Sequence, residues 1–224
     1  MSAATTRERI AGEARYLGRG IYDVAEVARL IRCRRGRVES WTRPGAHLSP
    51  LLTAELHNLF SFWDLVSVRV IAELVSRRVS RQHIAEGARH LAEELGTDRP
   101  FAHEHLATVG SGFFAEIGGA WVDAGLGGQR AFTSMVEPLL RPIAFNEAHM
   151  AAIWRPATGV WINPAVQAGA PCVDGTRVPT GLLAWLVAAG GDDPSAEIEQ
   201  ACDDYQLSQM QVQQAVDFEL ELAA

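Results

Sequence analysis

The stretch VAEVARLIRCRRGRVESW, residues 24–41, decides the fold of the N-terminal part of the chain. Its first apolar residues recur at i, i+3, i+4 and i+7, the spacing that places side chains on one face of a helix. Asp23 stands at the N-cap of this helix with Glu26 three residues later, a pattern that resembles a capping box. After a short break, Val38 and Trp41 form the apolar face of a second helix. The stretch therefore predicts two short helices joined by a turn.

Two helices with this spacing are typical of a helix-turn-helix unit, in which a small residue is needed where the helices cross. Ala28 stands at that position. The residues expected to fill the shared core are Val27, Ile31, Cys33, Val38 and Trp41. The outward positions of the second helix are Arg34, Arg35, Arg37, Ser40 and Arg43. We expect these outward residues to contact double-stranded DNA, because a helix fits the major groove and arginine binds guanine edges and phosphates. The alternative is a solvated arginine face on an ordinary helical hairpin.

The distribution of charge along the chain favours the DNA interpretation. The net charge is -7, and all 20 basic residues are arginine. Residues 1–43 carry ten arginines against five acids, a balance of +5, whereas residues 44–159 have nine arginines against twelve acids. Residues 160–224 have one arginine against ten acids. Such asymmetry suggests a nucleic-acid partner for the N-terminal part of the chain alone.

Composition also limits the class of protein. An apolar content of 48% indicates a folded domain rather than disorder. We expect a cytoplasmic protein that does not associate with membranes, because MSAATTRERI lacks the apolar region of a secretory signal and no apolar run is long enough to cross a bilayer. Cys33, Cys172 and Cys202 form no CxxC motif, so reduced thiols are expected and no metal site. No phosphate-binding loop and no nucleophile–base pair occur, so we expect no enzyme, no catalytic residues and no cofactor.

The middle of the chain is expected to combine two helices with a small β platform. A buried helix is predicted over residues 59–75, and a second helix runs from Ser80 to Gly96. Residues 97–110 are interpreted as a connector, with His103 and His105 as solvated loop residues in preference to metal ligands. From residue 111 to 163, short apolar pieces such as FFAEI and AWVD are expected to be strands, and the glycines between and before them, beginning with Gly110, are expected to mark turns. A short helix over 131–140, a hairpin and one more strand follow.

A second helical hairpin is predicted near the C-terminus. A helix over residues 180–189 is followed by a helix starting at Asp193-Pro194, and Ser208 with Gln211 forms a capping box for the last helix. The spacing of its packing residues, which are Ala201, Cys202, Tyr205, Leu207, Val212 and Ala215, repeats that of the N-terminal hairpin. The outer face is acidic, so it would oppose binding to a polyanion. A protein partner is favoured, and the alternative is an acidic solvated face.

Two longer stretches resemble known families. IYDVAEVARLIRCRRGRVESW and HNLFSFWDLVSVRVIAELVSRRVSRQHI resemble MerR-like regulators, in which a helix beginning near FxDL packs on the hairpin and a further helix starts at a Ser, here Ser80. VWINPAVQAGAPCVDGTRVPTGLLAWLVAAG resembles a small antitoxin-associated domain of unknown function with a DP…GxPxxxGTRxPxxxL signature. The matching residues are Pro164, Gly169, Pro171, Gly175, Thr176, Arg177 and Pro179, and Asn163 replaces the usual Asp.

Together these resemblances imply a VapB-type antitoxin of a toxin–antitoxin system. The implied fold is α+β and mainly α, with a helix-turn-helix domain at 1–100, a β-rich connector at 101–158 and a small acidic helical domain at 159–224. Such a protein neutralises a PIN-domain ribonuclease toxin and binds its own promoter as a homodimer. The residues expected to contact the toxin are Trp185, Asp203, Asp204, Asp217, Glu219 and Glu221.

The C-terminal part of the chain departs from the VapB pattern in its charge. Many VapB tails insert an arginine among the catalytic acids of the toxin, whereas this chain has no basic residue after Arg177. Its toxin would therefore have to be held by apolar contacts or through acidic side chains.

A second interpretation of the whole chain stays open beside the antitoxin. The alternative is a stand-alone MerR-like transcriptional regulator that responds to a small molecule or a metal.

Overall fold

Helices form most of the chain, and a small sheet completes a mainly helical α+β fold, as the sequence predicts. The computed structural model describes residues 18–45, 49–54, 59–117, 128–191 and 193–223. No helix in these segments is long and apolar enough to cross a membrane.

The chain divides into two compact units, which differ from the three segments expected from the sequence. The first unit is Tyr22–Ala152. The second unit contains the chain from Ile153 onwards together with the described residues 18–21. The boundary therefore falls inside the strand Ala151–Ala157.

The described residues of the first unit are mainly helical up to residue 140. Its helices are α1 (Val24–Leu30), α2 (Arg35–Thr42), α3 (Phe62–Ser76), α4 (Arg81–Leu95), α5 (Leu106–Ile117) and α6 (Gly128–Leu140). Helix α3 is buried nearly all round, as its continuous apolar sequence predicts. Ser61 begins it with a capping box that includes the Asp64 carboxylate. Ser80 caps α4 by accepting a hydrogen bond from the backbone N–H of His83, which confirms the predicted start.

The strand predicted for FFAEI is wrong, because residues 113–117 belong to helix α5. Leu106, Gly110 and Phe114 follow one another at four-residue intervals and are buried on one helix face. A Cβ at Gly110 would lie 2.7 Å from the ring of Phe132 in α6, so glycine allows the two helices to approach closely. Gly110, one of the glycines expected to mark turns, therefore lies instead where two helices pack together. AWVD, residues 120–123, lies outside the described residues.

The sheet has the order β1-β2-β3-β4. Its strands are β1 (Ile143–Phe145), β2 (Ala151–Ala157), β3 (Val160–Ile162) and β4 (Pro171–Val173). The predicted hairpin and the strand after it are confirmed, and β4 is an addition. Strands β2 and β3 pair antiparallel with Trp154 opposite Ile162, and β3 pairs antiparallel with β4, where Trp161 lies opposite Cys172.

The second unit ends in three helices, as predicted. These are α7 (Thr180–Ala188), α8 (Ser195–Tyr205) and α9 (Gln209–Ala223). Their shared core consists of Val173, Leu183, Val187, Ala201, Leu207, Val212, Ala215 and Val216. The capping box at the start of α9 is confirmed, because the backbone N–H of Ser208 donates to Gln211 Oε1 at 2.9 Å and the N–H of Gln211 donates to Ser208 Oγ at 3.3 Å.

Candidate functional site

The N-terminal hairpin consists of two short helices, α1 and α2, which are joined by a turn and pack on each other. The Asp23 carboxylate caps α1 by accepting hydrogen bonds from the backbone N–H groups of Ala25 at 2.7 Å and Glu26 at 2.8 Å. The turn closes through a bond from the N–H of Cys33 to the carbonyl of Ala28 at 2.8 Å, with Arg32 in the left-handed region at φ 53°. Of the residues expected in the shared core, Val27, Val38 and Trp41 are buried, whereas Ile31 and Cys33 are only half-buried.

The burial of α2 separates its packing residues from its charged residues. Val38, Trp41 and Thr42 are buried. The predicted DNA-contacting residues are all exposed, namely Arg34, Arg35, Arg37, Ser40 and Arg43. An open concavity of about 510 Å³ lies at the start of α2, and Arg32, Cys33, Arg34 and Arg37 line it. Arg32 was missed among the site residues, although the run RLIRCRRGR contains it.

One acidic side chain partly neutralises this arginine face. Glu39 Oε1 lies 3.1 Å from Arg35 Nε and 3.3 Å from Arg43 Nη1. Within the described part of the chain, neither Arg34 nor Arg37 forms an ion pair. These two guanidinium groups therefore carry the least compensated positive charge on the helix.

Hydrogen bonds from other parts of the first unit hold α2 in place. The Arg81 guanidinium donates to the carbonyl of Ser40 at 3.0 Å and to that of Ser49 at 3.1 Å. The Trp41 carbonyl accepts a bond from the backbone N–H of Leu51 at 2.7 Å. The helix that carries the arginines is consequently attached to the start of α4 and to the segment 49–54. A DNA-reading helix needs such support, because its side chains must keep a fixed register on the duplex.

The acidic residues predicted to contact a toxin differ in their exposure. Asp203, Asp204, Asp217 and Glu221 are exposed, and Trp185 on α7 exposes 68% of its surface. The placement of Glu219 on the outer face is wrong, because its side chain is half-buried and its carboxylate accepts a hydrogen bond from the hydroxyl of Thr180. Glu219 therefore joins α9 to the start of α7.

The signature residues Gly175 to Pro179 build the turn between β4 and α7. Gly175 has the predicted positive φ, 76°. The Thr176 hydroxyl donates to the carbonyl of Val173 at 2.9 Å and accepts a bond from the N–H of Val178 at 3.1 Å. Pro179 forms an isolated bridge with Cys172. The structure thus accounts for most of the signature by backbone geometry.

The flanking residues of the signature also have structural roles. The carbonyl of Arg177 accepts a hydrogen bond from Gln167 Nε2 at 3.0 Å, while its side chain is exposed. Asn163, which replaces the usual Asp, accepts a bond from the N–H of Ala165 at 2.9 Å through its Oδ1. Because an amide oxygen and a carboxylate oxygen both serve as the acceptor in such a turn, the exchange preserves the local structure.

Of the two loop histidines expected to be solvated, His105 is exposed as predicted, whereas the prediction for His103 is wrong. His103 is buried rather than solvated, and its Nδ1 accepts a hydrogen bond from the backbone N–H of His105 at 3.1 Å. Burial, and then the neighbouring His105 and His149, lower the pKa of His103. An acidic group is also present, since Glu104 Oε2 lies 2.8 Å from His149 Nδ1. The signal that was missed is a third histidine, 44 residues after His105 in the sequence.

The comparisons with known proteins concern the second unit and the overall fold. Residues 160–218 match the DUF433 family. That family is described as a protein of unknown function, and the match begins at β3 and ends within α9. No curated protein matches the chain.

A crystal structure with a similar fold is that of Rv2018 from Mycobacterium tuberculosis. The TM-score is 0.65, the sequence identity is 21%, and the match covers 88% of this chain and 96% of that chain. At this identity the likeness shows the fold alone. It nevertheless covers both units.

Proposed function

We propose that the chain is a double-stranded DNA-binding protein that inserts α2 into the major groove and regulates its own promoter. The observation that carries the proposal is the arginine-bearing face of α2, which is exposed while the opposite face is buried in the hairpin. Ordinary surface charge on a helix alternates in sign, whereas four arginines share this short segment with one acid. Guanidinium groups bind phosphates and the O6 and N7 atoms of guanine, so the face suits a DNA duplex.

The proposal includes a homodimer. A single short hairpin offers few base contacts, whereas specific DNA-binding proteins bury about 1,000–2,500 Å² of protein surface. Two copies on two half-sites would double the number of guanidinium groups that contact DNA. Half-sites one helical turn apart are the expected geometry of the operator.

The decisive experiment replaces Arg34, Arg35 and Arg37 together with alanine. Binding is measured by fluorescence anisotropy on a duplex from the region upstream of the coding sequence, over a range of salt concentrations. The variant is expected to lose binding, and the slope of log K against log salt should fall by about 0.9 for each phosphate contact that is removed. A matched control removes three exposed arginines from other helices or turns of the same unit, Arg77, Arg89 and Arg141.

The control variant carries the same net charge as the test variant, so it separates a specific surface from the overall charge. Equal loss in both variants would contradict the assignment of the site to α2. Retention of DNA affinity in the test variant at moderate salt would contradict the proposal as a whole. Circular dichroism should show the same helix content for both variants, because all six arginine side chains are exposed.

We propose further that the second unit binds a partner protein, the PIN-domain toxin implied by the resemblance to VapB-type antitoxins. The specific observation that favours this role is Trp185, a large aromatic side chain that is 68% exposed on α7. Trp residues dominate the binding energy of many protein interfaces. The exposed acids Asp203, Asp204, Asp217 and Glu221 would face basic toxin surface, and like charge would keep this unit away from DNA.

The partner is identified by co-expression with the protein encoded next to this chain, followed by co-purification and a growth assay. A stable complex that relieves growth arrest supports the antitoxin. Trp185→Ala should then weaken the complex by about 2 kcal/mol or more without affecting DNA binding. If the chain purifies alone and still shifts its upstream DNA, it is a MerR-like regulator without a toxin.

A further inference from the structure

Three potential metal ligands converge where the turn between β1 and β2 meets the residues before α5. These are Glu104, His105 and His149, and one ligand atom from each lies within 4.8 Å of the others. Glu104 Oε2 and His149 Nδ1 are 2.8 Å apart, and the ring centroids of His105 and His149 are separated by 4.7 Å. All three side chains are exposed, so an ion can reach them from solvent.

We propose that Glu104, His105 and His149 bind a divalent transition-metal ion, for which Zn²⁺ is the best fit. Imidazole nitrogen and carboxylate oxygen are both zinc ligands, at about 2.0–2.2 Å from the ion. Tetrahedral ligand atoms at this distance lie roughly 3.3–3.5 Å from one another. Side-chain rotations that move the ligand atoms by about 1 Å would bring the most distant ones together and separate Glu104 Oε2 from His149 Nδ1, which are now 2.8 Å apart. Three protein ligands leave the fourth position to water.

The backbone that carries the three ligands is held by a dense set of hydrogen bonds. The N–H of Glu104 donates to the carbonyl of His149 at 2.8 Å, and His103 pairs with Met150 as an isolated antiparallel bridge. Asn146 Oδ1 accepts bonds from the N–H groups of Ala148 and Met150, each at 3.0 Å. The ligand-bearing residues are therefore positioned before any ion binds, and binding needs only side-chain adjustment.

His105 distinguishes a metal site from an ordinary ion pair. Glu104 and His149 already satisfy each other, and a simple ion pair between them needs no third partner. The ring of His105 nevertheless lies beside that of His149, at an interplanar angle of 34°. Imidazoles that adjoin a carboxylate in this way offer the nitrogen and oxygen donors that suit zinc, nickel and copper. Loss of His105 should consequently affect metal binding far more than it affects the contact between Glu104 and His149.

The test measures Zn²⁺ binding to the tag-free full-length chain by isothermal titration calorimetry. The variants are Glu104→Gln, His105→Ala and His149→Asn, where Asn is chosen because residue 149 has φ 58°. The control is His83→Ala, which removes a half-exposed histidine on α4. We expect the native chain to bind one Zn²⁺ ion with a Kd of about 10 µM or tighter. The affinity should fall about tenfold or more in each ligand variant and stay unchanged in His83→Ala.

Weaker binding to the native chain, or full affinity in His105→Ala, would overturn the proposal. A second measurement uses the native protein alone, so that it does not depend on the folding of any variant. Zn²⁺ should shift the ring resonances of His105 and His149 in NMR spectra and leave those of His83 and His90 unchanged. A response confined to other histidines would count against the site.

Discussion

The ion pair between Arg99 and Asp64 allows a quantitative prediction about the contacts that support the N-terminal hairpin. Arg99 Nε lies 2.6 Å from Asp64 Oδ1, and the Asp64 side chain is fully buried. The other carboxylate oxygen of Asp64 accepts a bond from the N–H of Ser61 at 3.0 Å. Arg99 Nη2 also donates to the carbonyl of Thr53 at 3.2 Å. One guanidinium group thus joins the start of α3 to the segment 49–54 that lies against α2.

Removing the cation should destabilise the first unit strongly. In Arg99→Met the apolar part of the side chain is largely kept, but the Asp64 carboxylate loses its counterion inside the protein. Leaving one member of a buried ion pair uncompensated costs about 3–5 kcal/mol. In Asp64→Asn no buried charge is left on α3, but the single amide oxygen cannot accept both the bond from the N–H of Ser61 and the bond from Arg99 Nε. That variant should cost about 1–3 kcal/mol, because one donor loses its acceptor while Arg99 keeps the Asp98 carboxylate as an ionic partner.

The two substitutions should not add. In the double variant neither charge remains, so its cost should fall below the sum of the single costs by at least about 1 kcal/mol. Urea denaturation followed by circular dichroism gives the free energies of unfolding, and hydrogen exchange of the α3 amides reports on the first unit alone. A loss below about 1 kcal/mol in Arg99→Met, or additive costs, would refute the argument that the pair holds a buried charge.

Three further predictions concern separate parts of the chain. Gly110→Ala should lower the free energy of unfolding by about 1–2 kcal/mol, as measured by thermal unfolding, because the clash of the new methyl group with Phe132 outweighs the gain in helix propensity. A stabilised variant would show that α5 and α6 can move apart without cost. Glu39→Gln should raise DNA affinity about two- to tenfold at low salt by removing a carboxylate between two arginines, with a smaller effect at high salt in the anisotropy assay. Burial raises the pKa of the Cys172 thiol to about 11. At about pH 8, therefore, only about one Cys172 thiol in a thousand is ionised, and iodoacetamide should label Cys33 and Cys202 before Cys172. Fast labelling of Cys172 in the native protein, detected by mass spectrometry, would contradict its burial.

Helix starts could be predicted from the sequence because their stabilising contacts are local. Asp23, Ser80 and Ser208 each cap a helix through backbone or side-chain groups two or three residues away. All the atoms involved lie within one short window of sequence. The exposure of the arginines on α2 was predictable for the same reason, since helical periodicity fixes which side faces the partner helix.

Features that depend on distant residues were mispredicted. Gly110 suggested a turn, but its partner Phe132 lies 22 residues away, and only tertiary packing shows why a side chain is excluded there. Glu219 looked like part of a solvated acidic face. Its partner is the hydroxyl of Thr180, 39 residues earlier in the chain. The contact between Glu104 and His149 spans 45 residues, so the histidines on either side of Glu104 gave no indication that a third histidine lies beside them.

The two helical hairpins show that packing and partner choice depend on different residues. In both hairpins the buried positions recur with the same spacing, such as Val27 and Val38 in the first and Ala201 and Val212 in the second. These positions determine that two helices cross, whatever their outer faces carry. The exposed positions are free to vary, and they bear arginines in one hairpin and acids with glutamines in the other. Because a phosphate backbone attracts arginines and repels carboxylates, one packing pattern can carry the two surfaces for which we propose different partners.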